Sequence, residues 1–177
     1  MRNIYLVGFM GSGKTSVGKE IAKIKRLNFY DTDSLIELRE RRTISDIFSE
    51  NGEKYFRELE KNILKEISSK KNAVIACGGG IVMDEENIKI MKKTGVLIYL
   101  SASREKILKR ISGSAHRPLL NVPEPEKEIS SLMKQREKFY AKADIIINTS
   151  ELSVKEVAEK ILKELNEIIE IFRNRKI

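Results

Sequence analysis

Near its start the sequence contains the stretch Ile4-Tyr5-Leu6-Val7-Gly8-Phe9-Met10-Gly11-Ser12-Gly13-Lys14-Thr15. Its first four residues form a short apolar run, and the next eight fit the pattern G-x-x-x-x-G-K-[ST]. A buried strand that breaks into a glycine-rich turn and then opens a helix presents backbone N–H groups to phosphates. In such a turn Lys14 reaches the β- and γ-phosphates and the Thr15 hydroxyl ligates Mg²⁺. The stretch therefore predicts a nucleoside triphosphate site; an ordinary glycine turn with a surface lysine is the weaker alternative.

The composition is typical of one globular domain covering residues 1–177, with 41% hydrophobic and 34% charged residues. No apolar stretch approaches the roughly 20 residues that a membrane span needs. The lone cysteine, Cys77, excludes an internal disulfide and is typical of a reducing compartment. The first strand follows Met1 so closely that we expect no signal or transit peptide. We expect a cytoplasmic protein, a monomer, with no membrane partner.

The net charge of +8 raises the possibility of a nucleic-acid partner. However, acidic residues interleave with basic ones along the whole chain, and there is no basic tail. Aromatic residues are few and Trp is absent, so stacking platforms for single strands are not expected. We therefore expect no nucleic-acid partner, although part of the positive charge would favour ATP and an acidic substrate.

Five short apolar runs predict strands covered on both faces, since they are rich in Ile and Val and do not alternate with polar residues. They are Ile4–Val7, Asn28–Tyr30, Ala73–Ala76, Val96–Leu100 and Ile145–Ile147. Helical patterns separate them. This alternation predicts an α/β fold in three layers, a five-stranded parallel sheet with helices on both faces and right-handed crossovers.

The helical patterns are stripes of apolar residues at three- and four-residue steps. Such stripes predict one buried helix face in each of three stretches: Val17, Ile21 and Ile24; Leu59, Ile63, Leu64 and Ile67; Val154, Val157, Ile161, Leu165, Ile168 and Phe172. Ser153 and Glu156 have the spacing of a capping box at the start of the last helix.

Two intervals depart from the alternation of strand and helix. Between Asp33 and Asn72 helical patterns continue without a strand, which predicts a helical insertion over the carboxyl edge of the sheet, residues 33–61. From Ser112 to Pro125 the chain contains all three prolines, which predicts a mobile loop, residues 112–124.

Chemistry-bearing residues follow the second and third predicted strands, at the edge where ligands gather in an open parallel sheet. Asp31 and Asp33 are two residues apart, so in extended chain their carboxylates point the same way. One can hold the metal's water shell and the other can orient or deprotonate a hydroxyl; the alternative is that one of them caps the next helix. The triple glycine, residues 78–80, predicts a close approach to the main chain, because a tight turn needs fewer glycines.

Four arginines lie near these segments: Arg57, Arg110, Arg117 and Arg136. A planar guanidinium can hold a carboxylate or phosphate with two hydrogen bonds. Among 34 basic residues, however, any single arginine is more commonly a solvated surface residue.

Taken together, these segments resemble the shikimate kinase family, a group of small P-loop kinases. The resemblance covers nearly the whole chain, because five further elements follow the phosphate turn in the family's order and spacing: Asp31-x-Asp33, Tyr55-Phe56-Arg57-x-x-Glu60, Gly78-Gly79-Gly80, Arg117-Pro118-Leu119-Leu120 and Arg136-x-x-x-Tyr140. It implies a P-loop NTPase fold and phosphorylation of the shikimate 3-hydroxyl by ATP with Mg²⁺, in aromatic amino acid biosynthesis.

The resemblance also implies a role for each matching residue. Lys14, Asp33 and Arg117 would be catalytic, Asp33 toward the acceptor hydroxyl and Arg117 on a closing lid, residues 112–124. Mg²⁺ would be held by Thr15 and Asp31. ATP would contact Gly11, Ser12, Gly13, Lys14, Thr15, Ser16, Arg110 and Arg117, with Arg110 stacked on adenine. Shikimate would contact Asp33, Arg57, Gly78, Gly79, Gly80 and Arg136, inside a pocket walled by Phe48 and Phe56, with Glu60 steadying Arg57.

One position departs from the family pattern: Cys77 stands where a Ser or Thr usually precedes the triple glycine. A small buried hydrophobic role is the simplest interpretation of this cysteine. Two alternative functions stay open from the sequence. One is another small-molecule kinase of the same build, acting on gluconate or a nucleoside monophosphate. The other is a catalytically silent relative that binds the same ligands.

Overall fold

The computed structural model describes residues 2–111 and 124–174, without the side chains of residues 169 and 171–174. Its centre is a five-stranded sheet with the order β2-β3-β1-β4-β5 and parallel pairing throughout. The strands are β1 (Asn3–Val7), β2 (Asn28–Asp31), β3 (Ala73–Ala76), β4 (Gly95–Ser101) and β5 (Ile145–Asn148). All five predicted strands are confirmed, each to within one residue at either end.

The described residues also form seven helices and one 3₁₀ turn, Ile81–Met83. The helices are α1 (Lys14–Lys25), α2 (Thr32–Glu40), α3 (Ile44–Ser68), α4 (Glu85–Thr94), α5 (Arg104–Ile111), α6 (Pro125–Tyr140) and α7 (Val154–Asn174). The predicted capping box opens α7, since the Ser153 N–H donates to Glu156 and the Glu156 N–H donates to the Ser153 hydroxyl. Pro125 is the first residue of α6, where a missing N–H costs nothing, and not part of a loop.

Successive side chains along the central strands belong alternately to two apolar clusters, one on each face of the sheet. Tyr5 and Val7 pack with residues of α3 and α4, whereas Ile4 and Leu6 pack with residues of α1 and α7. The central strands β1 and β3 are buried along their whole length, as predicted for strands covered on both faces. This arrangement gives the three layers expected from the sequence.

The edge strands do not follow that prediction. In β5 the exposure alternates, and Ile146 is 54% exposed, because an edge strand has cover on one face only there. The prediction of a buried helix face is also wrong for two residues: Ile24 and Val154 are exposed, and each lies at an end of its helix. The side chain of Phe172 is not among those that the structure describes.

The interval between β2 and β3 is helical, as predicted, and consists of α2 and α3. Helix α3 is interrupted at Gly52, whose φ of 78° and ψ of 174° are not helical. The Thr43 hydroxyl and Asp46 form a capping box at its start. An insertion with the bounds 33–61 stays a prediction.

The predicted lid, residues 112–124, lies outside the described residues except for Glu124, which precedes α6. None of the described helices is both long enough and apolar enough to cross a bilayer.

Candidate active site

The turn after β1 holds its phosphate-cradle shape through glycine. Gly8, Gly11 and Gly13 have φ values of 148°, 75° and 97°, in a region that other residues rarely adopt. Gly13 is the N-cap of α1, so the first turn of that helix faces the cradle. The Lys14 ammonium donates to the carbonyl oxygens of Gly8 and Phe9, at 2.9 and 3.0 Å. The cradle is therefore formed by main-chain donors, with a lysine folded across it.

Thr15 and Asp31 meet at the edge of the cradle. The Thr15 hydroxyl donates to Asp31 Oδ2 at 2.8 Å. The other oxygen of Asp31 accepts the N–H groups of Asp33 and Ser34, at 3.1 and 3.4 Å, and thereby caps α2. The capping alternative considered for this aspartate is thus correct, and it is compatible with a position beside Thr15.

Asp33 lies in the first turn of α2, not in extended chain after β2 as we expected. The extended interpretation is wrong because Asp31 caps a helix that already begins at Thr32. The Thr32 hydroxyl accepts the Gly78 N–H at 2.8 Å, which ties this turn to the end of β3. Burial raises the pKa of Asp33 to about 6, with Asp31 adding to the rise and Lys14 opposing it. At neutral pH the carboxylate is therefore ionised and able to take a proton.

The triple glycine makes room for site side chains. A Cβ on Gly78 would lie 2.5 Å from Asp33 Oδ1 and 2.6 Å from Glu60 Oε1. A Cβ on Gly80 would overlap the Arg57 guanidinium, with Cζ at 2.6 Å. At Gly79 the neighbour is Arg136 Nη1, at 3.4 Å. A close approach to the three glycines is confirmed, and among the described residues it is made by predicted site side chains. Approach of a small substrate to the same main chain stays a prediction.

Arg57 and Glu60 form an ion pair on α3, and Arg57 also bonds Glu53 at 2.8 Å. Glu60 is only 1% exposed, and its Oε1 has no hydrogen-bond partner among the described residues. Burial raises the pKa of Glu60 to about 7, although the Arg57 charge lowers it. The predicted contact between these two residues is present, and it leaves the guanidinium beside Gly80.

Arg136 lies on α6 on the other side of the triple glycine. Its guanidinium stands 5.7 Å from the centre of the Phe9 ring, and its buried Nε has no partner in the part of the chain that the structure describes. Tyr140, one helical turn further, donates its hydroxyl to the Gly79 carbonyl at 2.6 Å. Arg57 and Arg136 thus approach one glycine turn from two helices.

Arg110 lies on the other side of the phosphate turn. Its guanidinium donates to the Gly11 carbonyl at 3.2 Å, and to the hydroxyl and carbonyl oxygens of Thr149, at 3.1 and 2.7 Å. Thr149 is 2% exposed, and its hydroxyl also lies 3.3 Å from the Ser12 carbonyl oxygen. Sequence reasoning left residues 148–153 unassigned, and no pattern in the sequence identifies this threonine. Thr149 links the segment after β5 to the phosphate turn.

The other residues singled out in the sequence take no part in the contacts described so far. Phe48 and Phe56 meet with ring centres 4.6 Å apart. Ser16 is exposed on the first turn of α1. Arg117 lies outside the described residues. The thiol of Cys77 is buried near the Ile75 carbonyl and Met91, and burial raises its pKa, so this residue behaves as a small buried hydrophobe.

Known proteins match this chain over nearly its full length. A family model described as shikimate kinase matches residues 10–166. The shikimate kinase of Caldanaerobacter subterraneus subsp. tengcongensis is 47% identical over 92% of this chain and 95% of its own length. That of Thermodesulfovibrio yellowstonii is 49% identical over 93% of this chain and 95% of its own length. A solved structure, shikimate kinase from Acinetobacter baumannii in complex with shikimate, superposes with a TM-score of 0.91 at 38% identity, covering 94% of both chains.

The phosphate turn, the parallel sheet and the helical cover define a kinase with the P-loop NTPase fold. Within that class the model match and the relatives agree on one assignment. The chain belongs to the shikimate kinase family.

Proposed function

We infer that this chain transfers the γ-phosphate of ATP to the 3-hydroxyl of shikimate, giving shikimate 3-phosphate and ADP in aromatic amino acid biosynthesis. One observation carries the inference beyond the family: the charges of Lys14 and Arg57 both act on the Asp33 carboxylate, since each lowers its pKa. A donor phosphate and an acidic acceptor would therefore meet at a single carboxylate. Phosphoryl transfer depends mainly on such positioning and on charge stabilisation.

The nucleotide end consists of residues 11–16, Arg110 and Arg117. The N–H groups of the turn hold the phosphates, and Lys14 leaves the Gly8 and Phe9 carbonyls to neutralise the transferring group. Arg110 offers a flat guanidinium against adenine, a role supported by its anchoring on Gly11 and Thr149.

Mg²⁺ fits beside Thr15 and Asp31. Their hydroxyl and carboxylate oxygens already lie 2.8 Å apart, and Mg²⁺ favours oxygen ligands, one or two carboxylates and phosphates. In the part of the chain that the structure describes, no cluster of three or more His, Cys, Asp or Glu residues offers a full protein cage. When held by Thr15 and Asp31, the ion would supply positive charge that offsets the negative charge of the phosphates.

The acceptor end consists of residues from three elements. Arg57 and Arg136 bind the shikimate carboxylate, and Gly78, Gly79 and Gly80 present main-chain groups to the ring. Glu60 steadies Arg57 through their ion pair. Phe48 and Phe56 form the apolar wall of the pocket.

During transfer Asp33 accepts the proton of the shikimate 3-hydroxyl. The oxygen of that hydroxyl forms a bond to the γ-phosphorus as the bond between the γ-phosphorus and ADP breaks. The raised pKa of Asp33, about 6, is suited to that proton at neutral pH. The lid, residues 112–124, closes over the site and brings Arg117 to the phosphoryl group, which also keeps water out. Arg117 and the rest of the lid, apart from Glu124, lie outside the described residues.

The chain acts as a cytoplasmic monomer without nucleic-acid or membrane partners. The buried free thiol of Cys77 suits a reducing compartment. Both ends of the proposed site come from one chain, so a second copy is not needed to complete it.

A coupled assay of ADP release tests the inference. Shikimate, gluconate, CMP and AMP are compared as acceptors, with a reaction lacking acceptor as the blank. We expect turnover with shikimate alone, abolished by Lys14→Met but retained by Lys23→Met, which removes an exposed lysine of the same helix. Turnover with another acceptor would replace the assigned substrate, and binding of both ligands without transfer would identify a silent relative.

A further inference from the structure

One peptide group of the glycine turn is held by a side chain that has no role so far. The Tyr140 hydroxyl donates to the Gly79 carbonyl at 2.6 Å. The same peptide carries the Gly80 N–H, and in a planar trans peptide the two groups point in opposite directions. Gly80 is a buried residue, and its N–H donates to no acceptor in the part of the chain that the structure describes. The Tyr140 bond therefore fixes the direction of an unused donor.

Each of the two glycines joined by this peptide lies beside one arginine. A Cβ on Gly80 would stand 2.6 Å from Arg57 Cζ, and a Cβ on Gly79 would stand 3.4 Å from Arg136 Nη1. The Tyr140 hydroxyl oxygen is 3.7 Å from the same Cβ position on Gly79. One tyrosine oxygen thus touches the glycine turn and neighbours an arginine of the acceptor end.

Tyr140 is well suited to hold a fixed orientation. Its ring is 2% exposed and stacks on Tyr99, with centres 4.7 Å apart and planes 11° from parallel. Burial raises the pKa of its hydroxyl, so the group stays protonated and remains a donor across the working pH range. It is anchored on α6 four residues after Arg136, on the same helix face.

We propose that Tyr140 is a positioning residue for the acceptor: it orients the Gly79–Gly80 peptide so that the Gly80 N–H and Arg136 present their donors together to the acidic substrate. This rests on the proposed function, since it assumes that shikimate binds at the glycine turn. Without the hydroxyl, the Gly79 carbonyl loses this partner and the orientation of the peptide is less constrained.

The test is Tyr140→Phe, which removes only the hydroxyl, with Tyr99→Phe as the matched control from the same ring stack. We expect Tyr140→Phe to raise the KM for shikimate about 5- to 30-fold, the size of one buried hydrogen bond. The KM for ATP and kcat should stay within about threefold, and Tyr99→Phe should change no parameter by more than about twofold. A packing defect would instead lower kcat and the melting temperature together.

A measurement on the wild type keeps the proposal testable if Tyr140→Phe does not fold. In ¹H–¹⁵N spectra, saturating shikimate should shift the resonance of the Gly80 amide. The resonance of the Gly95 amide, at the N-terminal end of β4, should stay in place. An unmoved Gly80 amide, or an unchanged shikimate KM in folded Tyr140→Phe, would overturn the proposal. A wild type that neither binds nor phosphorylates shikimate would instead refute the proposed function.

Discussion

The two ends of the proposed site use glycine for different reasons. At the phosphate turn, Gly8, Gly11 and Gly13 have positive φ, so glycine supplies a conformation there. At the triple glycine no φ is in that region, and the missing Cβ atoms leave space for charged groups of Asp33, Glu60, Arg57 and Arg136. The nucleotide end thus depends on the conformation of the main chain. The acceptor end depends on side chains that approach a main chain without Cβ atoms.

This difference extends to electrostatics. Phosphates would meet main-chain N–H dipoles, whose strength does not depend on neighbouring ionisation. The acceptor would meet buried charges whose state depends on one another, as the raised pKa values of Asp33 and Glu60, about 6 and 7, illustrate. Substitutions at the two ends should therefore separate ATP effects from shikimate effects.

The largest effect should come from Asp33→Asn, at the point where the nucleotide end and the acceptor end of the proposed site meet. The amide cannot take the proton of the acceptor hydroxyl, so kcat should fall about a hundredfold or more. ATP binding should stay near normal, measured by titration with a fluorescent nucleotide. If the variant instead loses ATP affinity, the roles given to Asp31 and Asp33 are exchanged.

Arg136→Ala should weaken shikimate binding by about 2–4 kcal/mol, because it removes a partly buried charge from the carboxylate. Calorimetric titration of shikimate measures this loss, and the ATP titration serves as the control. Unchanged shikimate affinity would refute the role of Arg136 and with it the side-chain character of the acceptor end.

Gly80→Ala and Gly13→Ala test the two uses of glycine separately: Gly80 leaves space for a side chain, and Gly13 has a positive φ. The Gly80 methyl would displace Arg57, so the KM for shikimate should rise about 10- to 50-fold while that for ATP holds. At Gly13 the nearest atom to a Cβ is 3.8 Å away, so only the positive φ is strained, by about 1–2 kcal/mol, and the KM for ATP should rise. Steady-state kinetics on both variants measure the split; a shared change in both KM values would contradict it.

The smallest effect concerns stability and pH. The pKa of Glu60 is raised to about 7, so between pH 4.5 and 7 the native state binds more protons there than the unfolded state. The contribution of Glu60 to the free energy of unfolding is therefore greatest below pH 4.5 and falls, by about 1–3 kcal/mol, as pH rises to 7. Urea titrations of ligand-free protein should show a shallower fall for Glu60→Gln. Parallel curves for the two proteins would contradict the buried acid.

Much of the fold could be predicted from local pattern. The five strands follow from apolar runs, and the phosphate turn follows from spacing alone, because both depend on residues close in sequence. The edge strands and the helix ends deviated because their cover is decided by distant parts of the chain. Asp33 was misjudged because the capping carboxylate of Asp31 starts a helix at Thr32, so that Asp33 is already helical.

The acceptor end could be predicted only as a set of residues, by resemblance. No local pattern brings Glu60 and Asp33 to one glycine, or Tyr140 to another. Thr149 was missed for the same reason, since its contact with Ser12 spans 137 positions. Contacts of this kind arise from the packing of whole elements and leave no periodic signal in the sequence.

The break in α3 at Gly52 decides how Phe48 and Phe56, the proposed aromatic wall, come together. In an uninterrupted helix, positions 48 and 56 would be separated by about 12 Å along the axis. The ring centres of Phe48 and Phe56 are instead 4.6 Å apart, on either side of a residue whose φ of 78° suits glycine. The spacing of the proposed apolar wall thus depends on the backbone torsions of one glycine, and a small rotation there would change the distance between the two rings.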